Sequence, residues 1–213
     1  MKESTARLLL GLGLLLLGIV FLLQNLGVID ELAALVWPFL FGIAGLVFLG
    51  VYFAKREHWW AIIPGSALLG IALLMGITAL FPVRGGIYGG TIFLGSLAAG
   101  FLAIFALHRE NWWAMIPGGV LLTLAVVAVA DQVLLGVDTG AILFFGLAAT
   151  FAALSVIKTS EGRMRWPLIP AGVLLAIGLV IVLPTLAWMV WLIALSMILA
   201  GGYLVIRNLS RSE

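Results

Sequence analysis

Arg56-Glu57-His58-Trp59-Trp60-Ala61-Ile62-Ile63-Pro64-Gly65 returns 53 residues later as Arg109-Glu110-Asn111-Trp112-Trp113-Ala114-Met115-Ile116-Pro117-Gly118. Another 53 residues on, Trp166 and Ile169-Pro170 hold the matching places. Charge, indole, proline and a long apolar run follow in that order each time. The order reads as a helix entering a bilayer from one fixed side: charge in water, an amphipathic ring at headgroup depth, and proline where its missing N–H matters least.

The rest of the composition agrees. The 213-residue chain is 64% hydrophobic and 9% charged, with a mean hydropathy of +1.29, whereas a soluble domain carries about 25% charged residues. An all-α, polytopic membrane protein is expected, and the formal net charge of +2 is read as topological rather than as a nucleic-acid footprint. With no cysteine, disulfides, thiolate metal sites and thiol nucleophiles are excluded. Lys2 and Arg7 before the apolar run Leu8 to Leu23 resemble a secretory leader. Gln24-Asn25-Leu26-Gly27 follows in place of an Ala-x-Ala cleavage site, so this segment reads as an uncleaved first span.

A hydrocarbon core of about 30 Å takes roughly 20 residues of helix. On that measure eight transmembrane helices are predicted, at about 8–26, 33–54, 60–81, 88–107, 113–131, 139–157, 166–184 and 187–206. With the N-terminus cytoplasmic, Lys2, Arg7, Lys55, Arg56, Arg109, Lys158, Arg163, Arg165, Arg207 and Arg211 share the cytoplasmic side, and only Arg84 lies opposite. Ten of eleven basic residues on one face is a positive-inside signal and places both termini in the cytoplasm.

The repeat divides the chain into four tandem two-helix hairpins of about 53 residues, at about 1–55, 56–108, 109–161 and 162–213, within a single transmembrane domain. Two spans per unit give every unit the same orientation, unlike the inverted repeats of many transporters. The first helices of the last three hairpins carry small residues four apart: Ser66 and Gly70, Gly119 and Thr123, Gly172 and Ala176. The first hairpin has Leu14 and Gly18 at the matching places, with Gly11 two turns before Gly18. Such faces permit close backbone approach, either inside the protein or toward a partner chain or second copy. The second helices have small residues of their own, including Gly42, Gly45, Gly95, Gly100, Gly146, Gly201 and Gly202. Trp59, Trp60, Trp112, Trp113 and Trp166 are read as interfacial anchors rather than a cage for a ligand cation.

Signs of chemistry are few. No ionisable residue falls near the middle of a predicted span, where proton relays and ion paths are usually marked. Asp131 and Asp138, with Asp30 and Glu31, read as solvated loop charges, since hard cations need more convergent oxygens. His58 and His108 occupy non-equivalent repeat positions and lack metal-site spacing. Ser66, Ser96, Ser155 and Ser196 have no evident base, and no phosphate-binding glycine loop is present. No catalytic, metal or cofactor residue is therefore assigned.

Leu9-Leu10-Gly11, Leu16-Leu17-Gly18-Ile19, Phe21-Leu22-Leu23-Gln24-Asn25-Leu26-Gly27, Trp37-Pro38 and Gly42 through Gly45-Leu46 give residues 8 to 50 a further feature. This stretch resembles the LiaI/LiaF-like transmembrane region of bacterial envelope-stress proteins. The resemblance implies a bacterial cytoplasmic-membrane protein working through protein contacts; the sequence departs from that family by continuing into three further hairpins. The expected function is a non-catalytic scaffold, interaction or modulatory subunit, with the lipid bilayer and a membrane-protein partner or second copy as its partners. The alternative is a transporter or binder of a small neutral or apolar solute, or of a lipid.

Overall fold

In hydrocarbon a backbone N–H or C=O has no water to pair with, so the chain must satisfy these groups within each segment. The computed structural model, which describes residues 11, 15, 18–27, 30–134, 139–159, 162–182 and 187–209, is accordingly all-α apart from one two-residue strand pair. Helix α1 covers residues 18–25. It is followed by α2 (Asp30–Ala54), α3 (Ile62–Leu80), α4 (Pro82–Leu107), α5 (Met115–Val133), α6 (Gly140–Val156), α7 (Leu168–Val182) and α8 (Ala187–Leu209). β1 (Lys158–Thr159) pairs antiparallel with β2 (Gly162–Arg163) between α6 and α7. The expectations placed on Lys2, Arg7, Leu14, Asp138 and Arg211 fall outside the described residues.

Among the described residues four stretches are long and apolar enough to cross a membrane: Ala34–Ala54, Trp59–Leu80, Gly85–Leu107 and Trp112–Val133. Gly140–Val156, Leu168–Val182 and Ala194–Tyr203 are shorter apolar helices. Phe39, Val83, Trp191 and Met197 are 70 to 78% exposed. Apolar surface of that kind suits lipid and is a liability in water.

Contacts divide the chain into two units, Met1–Leu107 and His108–Glu213. In the first, α3 packs against both α2 and α4. The α2–α3 seam is antiparallel and built on small residues. A Cβ added at Gly45 would lie 2.8 Å from Leu69 Cγ, and one at Gly65 would lie 2.8 Å from Leu49 Cδ2. At the start of α2, Trp37 Nε1 donates to Gln24 Oε1 at 2.6 Å, tying the end of α1 to it. In the second unit α6 packs against both α5 and α7.

Residues 82 to 87, expected as part of a turn, belong to α4. Only Phe81 separates α3 from α4. Its N–H donates to Ile77 O at 2.7 Å, and Gly85 N–H donates to Phe81 O at 2.8 Å, so one helix closes as the next opens. Pro82 suits this junction, being the first residue of α4 with its φ already set for helix. The junction also brings Gly85 onto the α3 backbone: an added Cβ would sit 2.7 Å from Thr78 N, while at Gly86 it would meet nothing within 4 Å. Gly85→Ala is therefore expected to destabilise the protein by about 1–3 kcal/mol, seen as a lower melting midpoint in detergent. Gly86→Ala should leave the midpoint unchanged or raise it, and equal losses from both would count against this account of the turn.

Candidate functional site: hydroxyl and glycine contacts in the helix hairpins

The two full copies of the repeated stretch fold alike. After Ala54 and Leu107 the chain leaves its helix, and His58 N–H and Asn111 N–H donate to Lys55 O and His108 O at 3.0 and 2.9 Å. His58 and Asn111 then take nearly the same backbone angles, φ −84°, ψ 48° and φ −85°, ψ 48°. Each opens a single 3-10 turn, Trp59–Ala61 or Trp112–Ala114, that leads into α3 or α5. The alanines closing these turns, Ala61 and Ala114, are fully buried. Pro64 and Pro117 follow as the third residues of their helices, within the first turn, where no intrahelical partner for their nitrogen exists.

The tryptophans of these turns divide their surface between protein and surroundings. Trp59, Trp112 and Trp113 are half-buried; Trp60 and Trp166 are exposed. Trp60 stacks edge-on with Phe48 at 6.3 Å, and Trp166 with Phe151 at 6.3 Å. Trp113 Nε1 donates to Asn111 Oδ1 at 3.3 Å. His108 Nδ1 lies 3.5 Å from Glu110 Oε1. Among the described residues no group of His, Asp and Glu forms a metal-binding cluster.

From these turns α3 and α5 run with their small residues toward the helix that follows. Each hydroxyl faces a glycine. A Cβ added at Gly100 would lie 2.6 Å from Ser66 Cβ, and one at Gly70 would lie 2.8 Å from Ser96 Cβ. In the second unit, Cβ atoms added at Gly119 and Gly146 would lie 2.9 and 3.0 Å from those of Thr150 and Thr123. At all four glycines the space a Cβ would take is filled by the side chain of the opposite hydroxyl residue, its carbons and its oxygen together. Thr123 and Thr150 are buried.

The hydroxyl protons stay within their own helices. Ser66 Oγ donates to Ile63 O at 3.0 Å, Ser96 Oγ to Ile92 O at 2.8 Å, Thr123 Oγ1 to Gly119 O at 2.8 Å and Thr150 Oγ1 to Gly146 O at 2.9 Å. Self-satisfied hydroxyls can be buried without an unpaired donor. What they offer the neighbouring helix is shape.

The other small residues read from the sequence sit differently. Gly172 and Ala176 lie on the exposed face of α7, and an added Cβ at Gly172 would meet nothing within 4 Å. Helix α7 meets α6 through another face, on which Gly178 approaches Phe145 and both Ala171 and Gly178 are buried. Gly11 and Gly18 also have open space at the Cβ position.

Sequence reasoning singled out Ser66, Gly70, Gly119 and Thr123 but not their partners as partners. Ser96, Gly100, Gly146 and Thr150 were hidden because α4 and α6 correspond at an offset of 50, not 53: Ser96 matches Gly146, Gly100 matches Thr150, and the fully buried Ile104 matches Leu154. The usable signal was the exchange itself, in which each hydroxyl of one hairpin becomes glycine in the other while its partner changes the opposite way.

That exchange yields a test within α5–α6. Gly146→Ser alone is expected to destabilise by about 1–3 kcal/mol through overpacking against Thr123. Adding Thr123→Gly recreates the Gly70–Ser96 arrangement and should restore most of the loss, a coupling of about 1 kcal/mol or more in a thermal-unfolding cycle. Simple additivity of the two substitutions would show that the contact does not govern the seam.

No family model, curated protein or solved structure matches the chain.

Proposed function

We propose that the chain is a non-catalytic protein of the bacterial cytoplasmic membrane, an eight-span array of four tandem hairpins that acts as a scaffold or modulatory subunit through helix contacts. The observation that carries this reading is the uncovered Gly172 and Ala176 face of α7. Its counterparts on α3 and α5 are filled by α4 and α6, whereas on α7 the small residues, here without a hydroxyl, leave a face open to a helix from another protein. The envelope-related role implied by residues 8 to 50 fits a subunit of this kind.

Native mass spectrometry after crosslinking in the source membrane tests the scaffold. A stoichiometric membrane-protein partner is expected with the unaltered chain and should be lost with Gly172→Leu/Ala176→Leu, while Gly95→Leu, at a position with open space, should retain it. Recovery of the chain alone, or an unchanged partner in the double variant, would overturn the proposal.

Orientation has its own test, for which the chain's lack of cysteine is convenient. Val83 is 77% exposed and the Glu110 side chain 74% exposed. Val83→Cys is expected to react with an impermeant thiol reagent on intact cells, and Glu110→Cys only after the membrane is permeabilised. The opposite pattern would reverse the topology.

A further inference from the structure

The connection between α6 and α7 differs from its two counterparts in length, charge and shape. Against the repeated stretch, Arg163 stands where Glu57 and Glu110 do, and Arg165 stands where Trp59 and Trp112 do. A carboxylate and an indole have both been exchanged for guanidinium groups. Residues 55–58 and 108–111 carry formal charges of +1 and 0 with histidine neutral, whereas residues 158–165 carry +2.

The backbone changes with the charge. Lys158 pairs with Arg163 and Thr159 with Gly162 in the short antiparallel ladder, and Gly162 adopts φ +108°, which a residue with a Cβ rarely tolerates. This bend turns the chain back along the end of α6 and opens a cleft of about 490 Å³ lined by Ser155, Val156, Arg163, Met164, Arg165 and Leu168. Arg56, by contrast, is already engaged: its guanidinium donates to Tyr52 Oη at 3.0 Å and lies over the Tyr52 and Phe53 rings. Among the described residues no carboxylate forms an ion pair with Arg163 or Arg165, and both are exposed.

Several other polar groups at the cleft are already engaged. Ser155 Oγ donates to Ala152 O at 2.6 Å. The first amides of α7 are also taken: Leu168 N–H donates to Arg165 O and Ile169 N–H to Trp166 O at 3.2 Å, and residue 170 is proline. The charged side chains lining the cleft are Arg163 and Arg165, whose planar forks match phosphate oxygens. Beside them Val156 and Leu168 are 59 and 54% exposed, and each belongs to an apolar helix that leads away from the charged end.

We propose that this cleft binds an anionic phospholipid, with Arg163 and Arg165 on the headgroup phosphate and Val156, Met164 and Leu168 against the upper acyl chain. The proposal rests on the reading of the chain as a membrane protein. The ligand class follows from the pairing of two exposed guanidinium groups, without an ion-pair partner among the described residues, with apolar surface at a helix end. Basic pockets of this kind on the cytoplasmic side suit phosphate-bearing lipids, and a free phosphate would leave the apolar wall uncovered.

The test uses the full chain in neutral detergent, titrated with phosphatidylglycerol or phosphatidylcholine and read by native mass spectrometry. One phosphatidylglycerol is expected to bind at least tenfold more tightly than phosphatidylcholine. Arg163→Gln/Arg165→Gln should weaken it by roughly 30-fold, taking each basic residue at its usual contribution near an anionic lipid. The charge-matched Arg56→Gln/Arg109→Gln should leave binding within about threefold, and Arg163→Lys/Arg165→Lys should recover part of it. Circular dichroism separates loss of binding from loss of fold. If the glutamine variant does not fold, Leu168→Gln with both arginines intact provides the reading, with an expected weakening of tenfold.

Equal affinity for the two lipids, or equal weakening by both double variants, would overturn the proposal. So would complete displacement of the lipid by millimolar inorganic phosphate, which would show a free-phosphate site. Because binding is read in detergent, its failure is distinct from failure of the scaffold or of the orientation, which the crosslinking and labelling experiments report.

Discussion

Close approach of antiparallel helices, made possible by a glycine opposite each hydroxyl residue, is what the hairpins α3–α4 and α5–α6 depend on. Lipid tails are as apolar as leucine, so burying a leucine between two such helices gains little over leaving it in the bilayer. Attraction must then come from the number of atoms brought into contact, which rises when backbones draw near. Glycine allows that approach, and serine or threonine fills the space it leaves with a side chain just large enough. The hydroxyl is compatible with a dry interface only because its proton is given back to the same helix. Remove that internal bond at Thr123 or Thr150 and the same side chain becomes a buried unpaired donor.

The turns that start α3 and α5 show a second constraint, at the level of the backbone. Their geometry is shared although His58 occupies in one what Asn111 occupies in the other, so the side chain at this position does not set it. The invariants are the buried alanine that closes the 3-10 turn, the indoles and the proline two residues into the helix. Between α6 and α7 one indole is absent and the strand pair appears, with Arg163 and Arg165 carried on the new path. Local sequence thus decides whether a loop seals the end of a hairpin or opens a charged recess there.

Much of this architecture was legible in the chain. Helical segments and their approximate limits follow from apolar length, and the small-residue faces of α3 and α5 from four-residue spacing. The start of α4 was not, because dividing the chain by apolar length left residues 82–87 in a turn, although proline at a first helical position and glycine at a tight crossing are compatible with helix. The partners on α4 and α6 were hidden by two length changes that cancel. Gly70 and Ser96 are 26 residues apart, Thr123 and Gly146 only 23, and the longer connection after α6 restores the 53-residue period. A repeat aligned on its tryptophans and prolines therefore places α4 and α6 three residues out of step. On α7 the spacing pointed to Gly172 and Ala176, whereas α6 meets Ala171 and Gly178, since spacing defines a face without saying which neighbour it meets.

The reversed order of hydroxyl and glycine in the two hairpins has a consequence for how each helix recognises its mate. Were α6 substituted for α4 beside α3, Ser66 would meet Thr150 and Gly70 would meet Gly146, one crowded crossing next to one empty crossing. The reciprocal substitution of α4 for α6 beside α5 sets Thr123 on Ser96 and Gly119 on Gly100, with the same fault. Each hairpin carries a lock that its own second helix fits and its counterpart's does not. Among helices with closely similar apolar sequences, this steric code gives each one grounds to accept the correct neighbour and refuse its look-alike.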